Sequence, residues 1–402
     1  MCNRLEAVFG QIKKEEKMIK IVNQSDCCGC SACASVCGHK AIVMQPDGLG
    51  FLYPVVDKDL CVECGLCEKV CTFNGKYDKS NNMAEPEVYA VRHKNIREVE
   101  TSRSGAMFIA VSDWILEQGG VVYGAGYTDH FRVVHKRAVT KMERDEFKGS
   151  KYVQSDMNTI FGQVKNDLKQ GLFVLFSGTP CQTSGLRSYL SIFKMDMTKL
   201  YICDIVCHGV PSPYYWRDYL AYIERKQGMK AVSVNFRDKT KLGWTAHKES
   251  FTFANGKTYT YTYTFYKHIM FRHSCGICHF ANLQRPSDIT IADFWGWEKV
   301  DSCINADDKG VSLVMVNSLQ GRRLFDEVKE SIRFIQTDVK HCLQPNLQYP
   351  SVIHPKRDAF ERDYLRYGFV YVGKKYGDMG WRYKTGCLVN KGRCVIKRLI
   401  GR

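Results

Sequence analysis

From Val88 to Val206 short apolar runs alternate with longer segments whose apolar positions recur at helical spacing. Val88 to Arg92, Val121 to Tyr127, Arg132 to Thr140, Leu172 to Phe176 and Tyr201 to Val206 have the pattern of strands. Gly105 to Gln118 (ending at Gly119-Gly120), Thr159 to Lys169 and Gln182 to Leu190 have that of helices. Strands that alternate with helices predict an α/β domain. Beyond about Lys230 strands dominate, and Asn255-Gly256 between Lys248–Ala254 and Lys257–Thr264 is a hairpin signal. Arg322 to Ile332 reads as a late helix. Ahead of the α/β pattern, Ala41 to Val56 reads as a hairpin turning at Pro46-Asp47-Gly48, and Asn74 to Pro86 is a polar, breaker-rich linker. No apolar run approaches the ~18 residues of a membrane helix.

The expected organisation is an extension (1–18), a small cysteine-rich domain (19–73), a linker (74–86), an α/β domain in two parts (87–170 and 171–345) and a C-terminal extension (346–402) with a basic tail. In that tail Val395, Ile396, Leu399 and Ile400 are interspersed with basic residues. It reads as a solvated segment, with contact to a membrane surface or an acidic partner as the minority alternative. Met1 to Lys20 is polar and mixed in charge, unlike a secretory signal, which points to the cytoplasm. In that reducing compartment 19 cysteines mean metal or redox work rather than disulfides. The net charge of +16 suits an acidic protein partner or an anionic substrate. No aromatic-and-basic pattern accompanies it, so nucleic acid is not expected.

The cysteines themselves are patterned. Cys27, Cys30, Cys33 and Cys37 follow C-x2-C-x2-C-x3-C, and Cys61, Cys64, Cys67 and Cys71 repeat it. Three cysteines on a tight loop wrap one face of a 4Fe-4S cubane, and the fourth, a helical turn on, points to the other cluster. Cys27, Cys30, Cys33 and Cys71 are thus expected to hold one cluster, and Cys61, Cys64, Cys67 and Cys37 a second. Gly29 and Gly65 stand where backbone amides must approach the sulfides. Zinc needs four ligands and would leave four correctly spaced cysteines unused. The module resembles the bacterial two-cluster ferredoxins, with Gly38 and Thr72 in place of the usual proline. About fifty residues rarely make a stable core alone, so the clusters are expected to hold it together.

Further on, "TSRSGA", "GSKYVQSD", "LFSGTPCQ", "DIVCHGVPS", "CGICHFANLQRPSDITIADFWG" and "KGVSLVMVN" occur in that order. Behind a two-cluster module this set resembles the coenzyme F-420 hydrogenase/dehydrogenase beta-subunit family, which itself resembles the plant 7-hydroxymethyl chlorophyll a reductase. The resemblance runs from about Ile19 to about Tyr371. It implies a ferredoxin-like module followed by an α/β flavin-binding domain with a strand-rich C-terminal part. FAD would lie near Ser102, Ser104 and Gly105, near Lys151, Tyr152 and Gln154, and near Ser177, Gly178 and Thr179. A third 4Fe-4S cluster is implied at Cys181, Cys207, Cys275 and Cys278, with Cys203 as the substitute ligand. Ordinary buried thiols and plain capping loops are the alternatives at these positions. His208 and His279 are expected to be structural, as are Cys2, Cys28, Cys303, Cys342, Cys387 and Cys394. Three clusters would lower the net charge to roughly +10.

The expected function is a flavin-dependent iron–sulfur oxidoreductase that exchanges electrons with a ferredoxin or other redox protein and a small two-electron substrate. That substrate is coenzyme F-420 or a metabolite of surface-polysaccharide synthesis. The alternative is a non-catalytic electron-transfer subunit feeding a partner enzyme. A homo-oligomer is compatible with either.

Overall fold

The computed structural model describes residues 17–74, 76–240, 243–246, 249–259, 264, 267–380 and 385. The basic tail, most of the N-terminal extension, and Cys2, Cys387 and Cys394 lie outside these.

The cysteine-rich module is built from short elements. Strands β1 (Ile42–Pro46) and β2 (Leu52–Val56) pair antiparallel, with Ile42 opposite Val56. Their turn is organised by Asp47, whose Oδ1 accepts from the amides of Leu49 and Phe51 at 2.9 Å. Helices α1 (Ala32–Val36) and α2 (Leu66–Lys69) are five and four residues long. Gly65 starts α2 at φ 73° and Gly29 has φ 71°, the left-handed region that glycine enters without a Cβ penalty.

The main sheet has eight strands in the order β13-β3-β12-β11-β7-β6-β4-β5. They are β3 (Asn82–His93), β4 (Val121–Thr128), β5 (Arg132–Ala138), β6 (Val174–Gly178), β7 (Leu200–Ile205), β11 (Ile289–Asp293), β12 (Ser312–Ser318) and β13 (Ile332–Thr337). Strands β4, β6, β7 and β11 run parallel, while β5, β12 and β13 are antiparallel to their neighbours. The period of two is visible in the burial. Val174 and Phe176 face α6 (Ile160–Lys169) and α7 (Pro180–Ile192), where they meet Phe161, Val164 and Leu186. Leu175, between them, faces α4 (Met107–Glu117) and α9 (Leu319–Val328), where it meets Val111 and Phe325. All three are fully buried, each contributing roughly 1.5–3 kcal/mol.

A second sheet, β10-β9-β8, contains the predicted Asn255-Gly256 hairpin as β9 (Ser250–Phe253) and β10 (Thr258–Tyr259), joined by β8 (Ala231–Asn235). Gly256 there has φ 74°. The remaining helices are α3 (Ile96–Thr101), α5 (Lys141–Asp145), α8 (Pro213–Gln227), α10 (Val339–Cys342) and α11 (Arg357–Lys375).

Three expectations change. Strand β3 starts at Asn82, which pairs with Ser318, so it takes up the second half of the expected linker. Pro86 is tolerated because β13 pairs only from Val88 onward, leaving no ladder partner for its missing N–H on that side. The late helix runs from Leu319 to Val328, and Ile332 opens a strand instead. Helices α8 and α11 were not anticipated. Among the described residues no helix is long and apolar enough to cross a membrane.

Candidate functional site

The carboxyl ends of β4, β6, β7 and β11 lie on one side of the sheet, where open α/β folds collect ligands. The N-terminal module is docked there. Ala32, Val36 and Val70 enter the same apolar cluster as Phe161 and Leu186. Leu49 and Phe51 enter another with Tyr215, Trp216 and Phe360. The approach is close because α7 carries Gly185, whose added Cβ would stand 3.0 Å from Cys30 Sγ and 3.2 Å from Cys30 Cβ.

The two motifs fall into two neighbourhoods. Cys27, Cys30, Cys33 and Cys71 feel one another. Burial drives the Cys33 thiol well above its ordinary pKa, and Cys30, Cys27 and Cys71 push it further. Cys71 rises to about 11, first through burial and then through Cys30. Cys67 packs against Met18 and Ile42 with Cys37 and Cys61 beside it, and its Sγ accepts from the Ile19 amide at 3.2 Å. Cys64 is exposed. Cys71 also feels Cys67, and Cys33 packs in the Cys67 cluster, so the two neighbourhoods adjoin. Among the described residues no three His, Cys, Asp or Glu side chains converge closely enough to hold a single metal ion.

The third set converges from three segments. Cys181 opens α7, after Thr179, whose backbone and hydroxyl both donate to Gln182 Oε1 at 3.0 Å. Cys207 follows β7, and Cys275 and Cys278 lie on and just after the turn His273–Ile277. The four thiols line one cavity with Cys28, Phe73 and Arg272, enclosing about 470 Å³ of empty space, its open mouth included. Amides of Gly209 and Val210 donate to the sulfurs of Cys207 and Cys275, each at 3.4 Å. The loop after Cys278 is pinned by buried Arg285, which donates to Phe280 O at 2.8 Å and to Asp204 Oδ2 at 2.9 Å. Burial pushes Cys275 to about 12 and Cys278 to about 11. Cys181 is instead held down to about 7, first by a hydrogen bond from Cys28. Four sulfur donors around one pocket fit a cluster.

Cys28, expected to be merely structural, lies between the sets, with its thiol within hydrogen-bonding reach of both Cys30 and Cys181. Cys203 turns the other way, into the core with Met107 and Val122, and does not line the cavity. His208 bonds Asn346 at 2.9 Å and His268 at 2.7 Å, and His279 packs edge-on against Phe73, so both support loops.

The nine expected flavin contacts divide into groups. Ser104 donates to Val311 O at 2.6 Å, and a Cβ on Gly105 would stand 2.1 Å from Val91 O, so both serve the backbone where β3 ends and β12 begins. Ser102 Oγ, with Nε and Nη1 of Arg103, is buried without a hydrogen-bond partner among the described residues. Arg103 Nη2 meanwhile binds Asp293 at 3.0 Å beside the stacked rings of Trp244 and Trp295. Arg237 reaches the same carboxylate at 3.6 Å and donates to the Tyr152 hydroxyl at 2.9 Å. Lys151 curls onto the carbonyls of Glu146, Lys148 and Gly149 at 2.9–3.3 Å, and burial lowers its pKa to about 7. Gln154 donates to Cys28 O at 2.9 Å. Gln182, Ser155, His135 and the Ser177 carbonyl form a chain at 2.9–3.0 Å. His135, absent from the sequence-based set, is thus what ties the "GSKYVQSD" and "SGTPC" loops together. Unpartnered buried donors at Ser102 and Arg103 fit an anionic group such as a flavin phosphate.

Residues 26–74 match the 4Fe-4S dicluster domain. Residues 173–340 match the C-terminal domain of the coenzyme F420 hydrogenase/dehydrogenase beta-subunit family. The chain thus carries a domain of that family behind an iron–sulfur module. Over 99 residues, 21% of this chain, it is 29% identical to one polypeptide of the H2:CoB-CoM heterodisulfide, ferredoxin reductase of Methanothermobacter marburgensis. The Methanothermobacter thermautotrophicus protein of the same name is 28% identical over 99 residues. The chain spans only 15% of the length of these relatives. Among solved structures, a chain of the F420-reducing NiFe hydrogenase complex from Methanosarcina barkeri aligns at TM-score 0.45 and 15% identity, covering 75% of this chain and 96% of that one.

Proposed function

We propose that this chain is a cytoplasmic flavin-dependent oxidoreductase with three 4Fe-4S clusters. Cys27, Cys30, Cys33 and Cys71 hold the first, Cys61, Cys64, Cys67 and Cys37 the second, and Cys181, Cys207, Cys275 and Cys278 the third. The observation that carries this reading is the convergence of the last four from three distant segments around one cavity, next to Cys28 and Cys30. Iron–sulfur clusters supply one-electron steps, and FAD would supply the change from single electrons to a hydride. Ser102 and Arg103 offer the donors for its anionic part, while Asp293 and Tyr152 orient Arg103 and Arg237. Arg285 and the Gln182–Ser155–His135 chain keep the cysteine loops in register. Electrons are exchanged with a ferredoxin or another redox protein and with a small two-electron acceptor, coenzyme F-420 or a surface-polysaccharide metabolite.

The test is metal and flavin content. Anaerobically purified protein is expected to hold about twelve irons per chain and one flavin, by the arithmetic of four irons per cluster. Cys278→Ala should retain about eight, with the low-temperature EPR of the N-terminal clusters intact, because metal binding is coupled to local folding. Eight irons in the parent protein would remove the third cluster. Absence of flavin would leave a protein that only relays electrons to a partner enzyme.

A further inference from the structure

Arg272 is fully buried, yet it has no carboxylate within ion-pair distance among the described residues. Its donors go to neutral groups. Nε donates to Cys27 O at 2.8 Å, Nη1 to Gln154 Oε1 at 3.0 Å and Nη2 to Leu52 O at 2.9 Å. Its guanidinium lies 4.1 Å from the centre of the Tyr53 ring. Gly29 completes the enclosure, since a Cβ there would stand 2.8 Å from Nη1. Asp47, which accepts from the Leu49 and Phe51 amides, feels this charge without forming an ion pair with it. A buried cation without a direct ion-pair partner costs several kcal/mol, so the site calls for further negative charge. The thiols supply it from two sides. Arg272 grips the backbone of Cys27 in one set and lines the cavity of Cys181, Cys207, Cys275 and Cys278 in the other.

We infer that Arg272 is a charge-compensating residue shared by the first and third cluster sites, favouring the reduced, more negative state of both. The inference rests on the three-cluster reading above. It also assigns Gln154 a positioning role, because its amide joins the guanidinium to the Cys28 carbonyl between the two sites. The second site, around Cys67, Cys61 and Cys37, packs on Met18 and Ile42, and none of the guanidinium's three hydrogen bonds reaches it.

The experiment is an EPR-monitored redox titration of Arg272→Gln and Arg272→Lys, with iron counted first. In Arg272→Gln at full iron, the first and third clusters should become harder to reduce. Their ratio of reduced to oxidised form at a fixed potential should fall at least tenfold, 59 mV for a one-electron couple. The second should not move, and Arg272→Lys, which keeps the charge, should stay near the parent protein. Unchanged midpoints in Arg272→Gln, or equal shifts in all three clusters, would overturn the inference. If Arg272→Gln does not load iron, Arg272→Lys decides. Normal loading and midpoints support a role for charge, whereas loss of iron there too means that the guanidinium's hydrogen bonds matter and not its charge. Eight irons in the parent protein would instead mark the failure of the three-cluster reading.

Discussion

In residues 17–73 the cysteines are the framework, whereas in the large sheet they are passengers on a framework made of apolar layers. The module has one hairpin and two single-turn helices, and its larger buried side chains, Leu49, Phe51, Val36 and Val70, bury themselves in the neighbouring domain's cores. The sheet packs α4 and α9 on one face and α6 and α7 on the other, and its interior strand β12 is buried along its whole length. Cys181, Cys207, Cys275 and Cys278 hang on loops that Arg285, Gln182 and His135 already hold. The same ligand chemistry is thus structural in one region and supported by prior structure in the other.

Iron removal should break the comparison most visibly. Stripping the metal anaerobically is expected to release residues 17–73 to rapid hydrogen exchange while β6, β7, β11 and β12 stay protected. Uniform loss of protection across both regions would mean that the sheet also depends on metal.

Acid should find the weakness of the supported loops. Burial keeps His135 neutral and lowers its pKa to about 4, against about 6.5 for a free imidazole. The unfolded chain takes up that proton first, so stability should decline as pH falls from about 6.5 to about 4, by on the order of 3 kcal/mol. His135→Gln cannot take up the proton. The parent's advantage in denaturation midpoint over this variant should therefore be largest near pH 8 and shrink by pH 5. A constant difference would show that His135 acts only through shape.

Docking of the module can be tested at Gly185. A Gly185→Val side chain would collide with Cys30 and Ala32 and should cost about 1–3 kcal/mol, with loss of iron from the first cluster site. Gly162, in the first turn of α6 with nothing within 4 Å of its added Cβ, provides the control. Gly162→Ala should stabilise the protein by about 0.5–1 kcal/mol in thermal unfolding and leave iron content unchanged.

Much of this molecule was legible in the chain itself. Motif spacing, a local property of three residues per turn of loop, marked the eight cysteines of the module. The short apolar runs at Val121–Tyr127 and Leu172–Phe176 placed β4 and β6, because strands covered on both faces read as continuous hydrophobic stretches. Gly65 and Gly29 were marked by the backbone freedom their loops require. Helix α8 had its signals too, with Ser212 capping, Pro213 at the first turn and Gly228 at φ 68°, but its aromatic stripe resembles a strand-forming composition. Tertiary structure alone decided the rest. Convergence of Cys181, Cys207 and Cys275 depends on which strands are neighbours, and the pairing of β7 with both β6 and β11 is not written in any one segment. The placement of Cys28 between two thiol sets, the solitary charge of Arg272 and the neutral His135 follow from burial. Burial is a property of everything packed around a residue, so no pattern along the chain could have announced it.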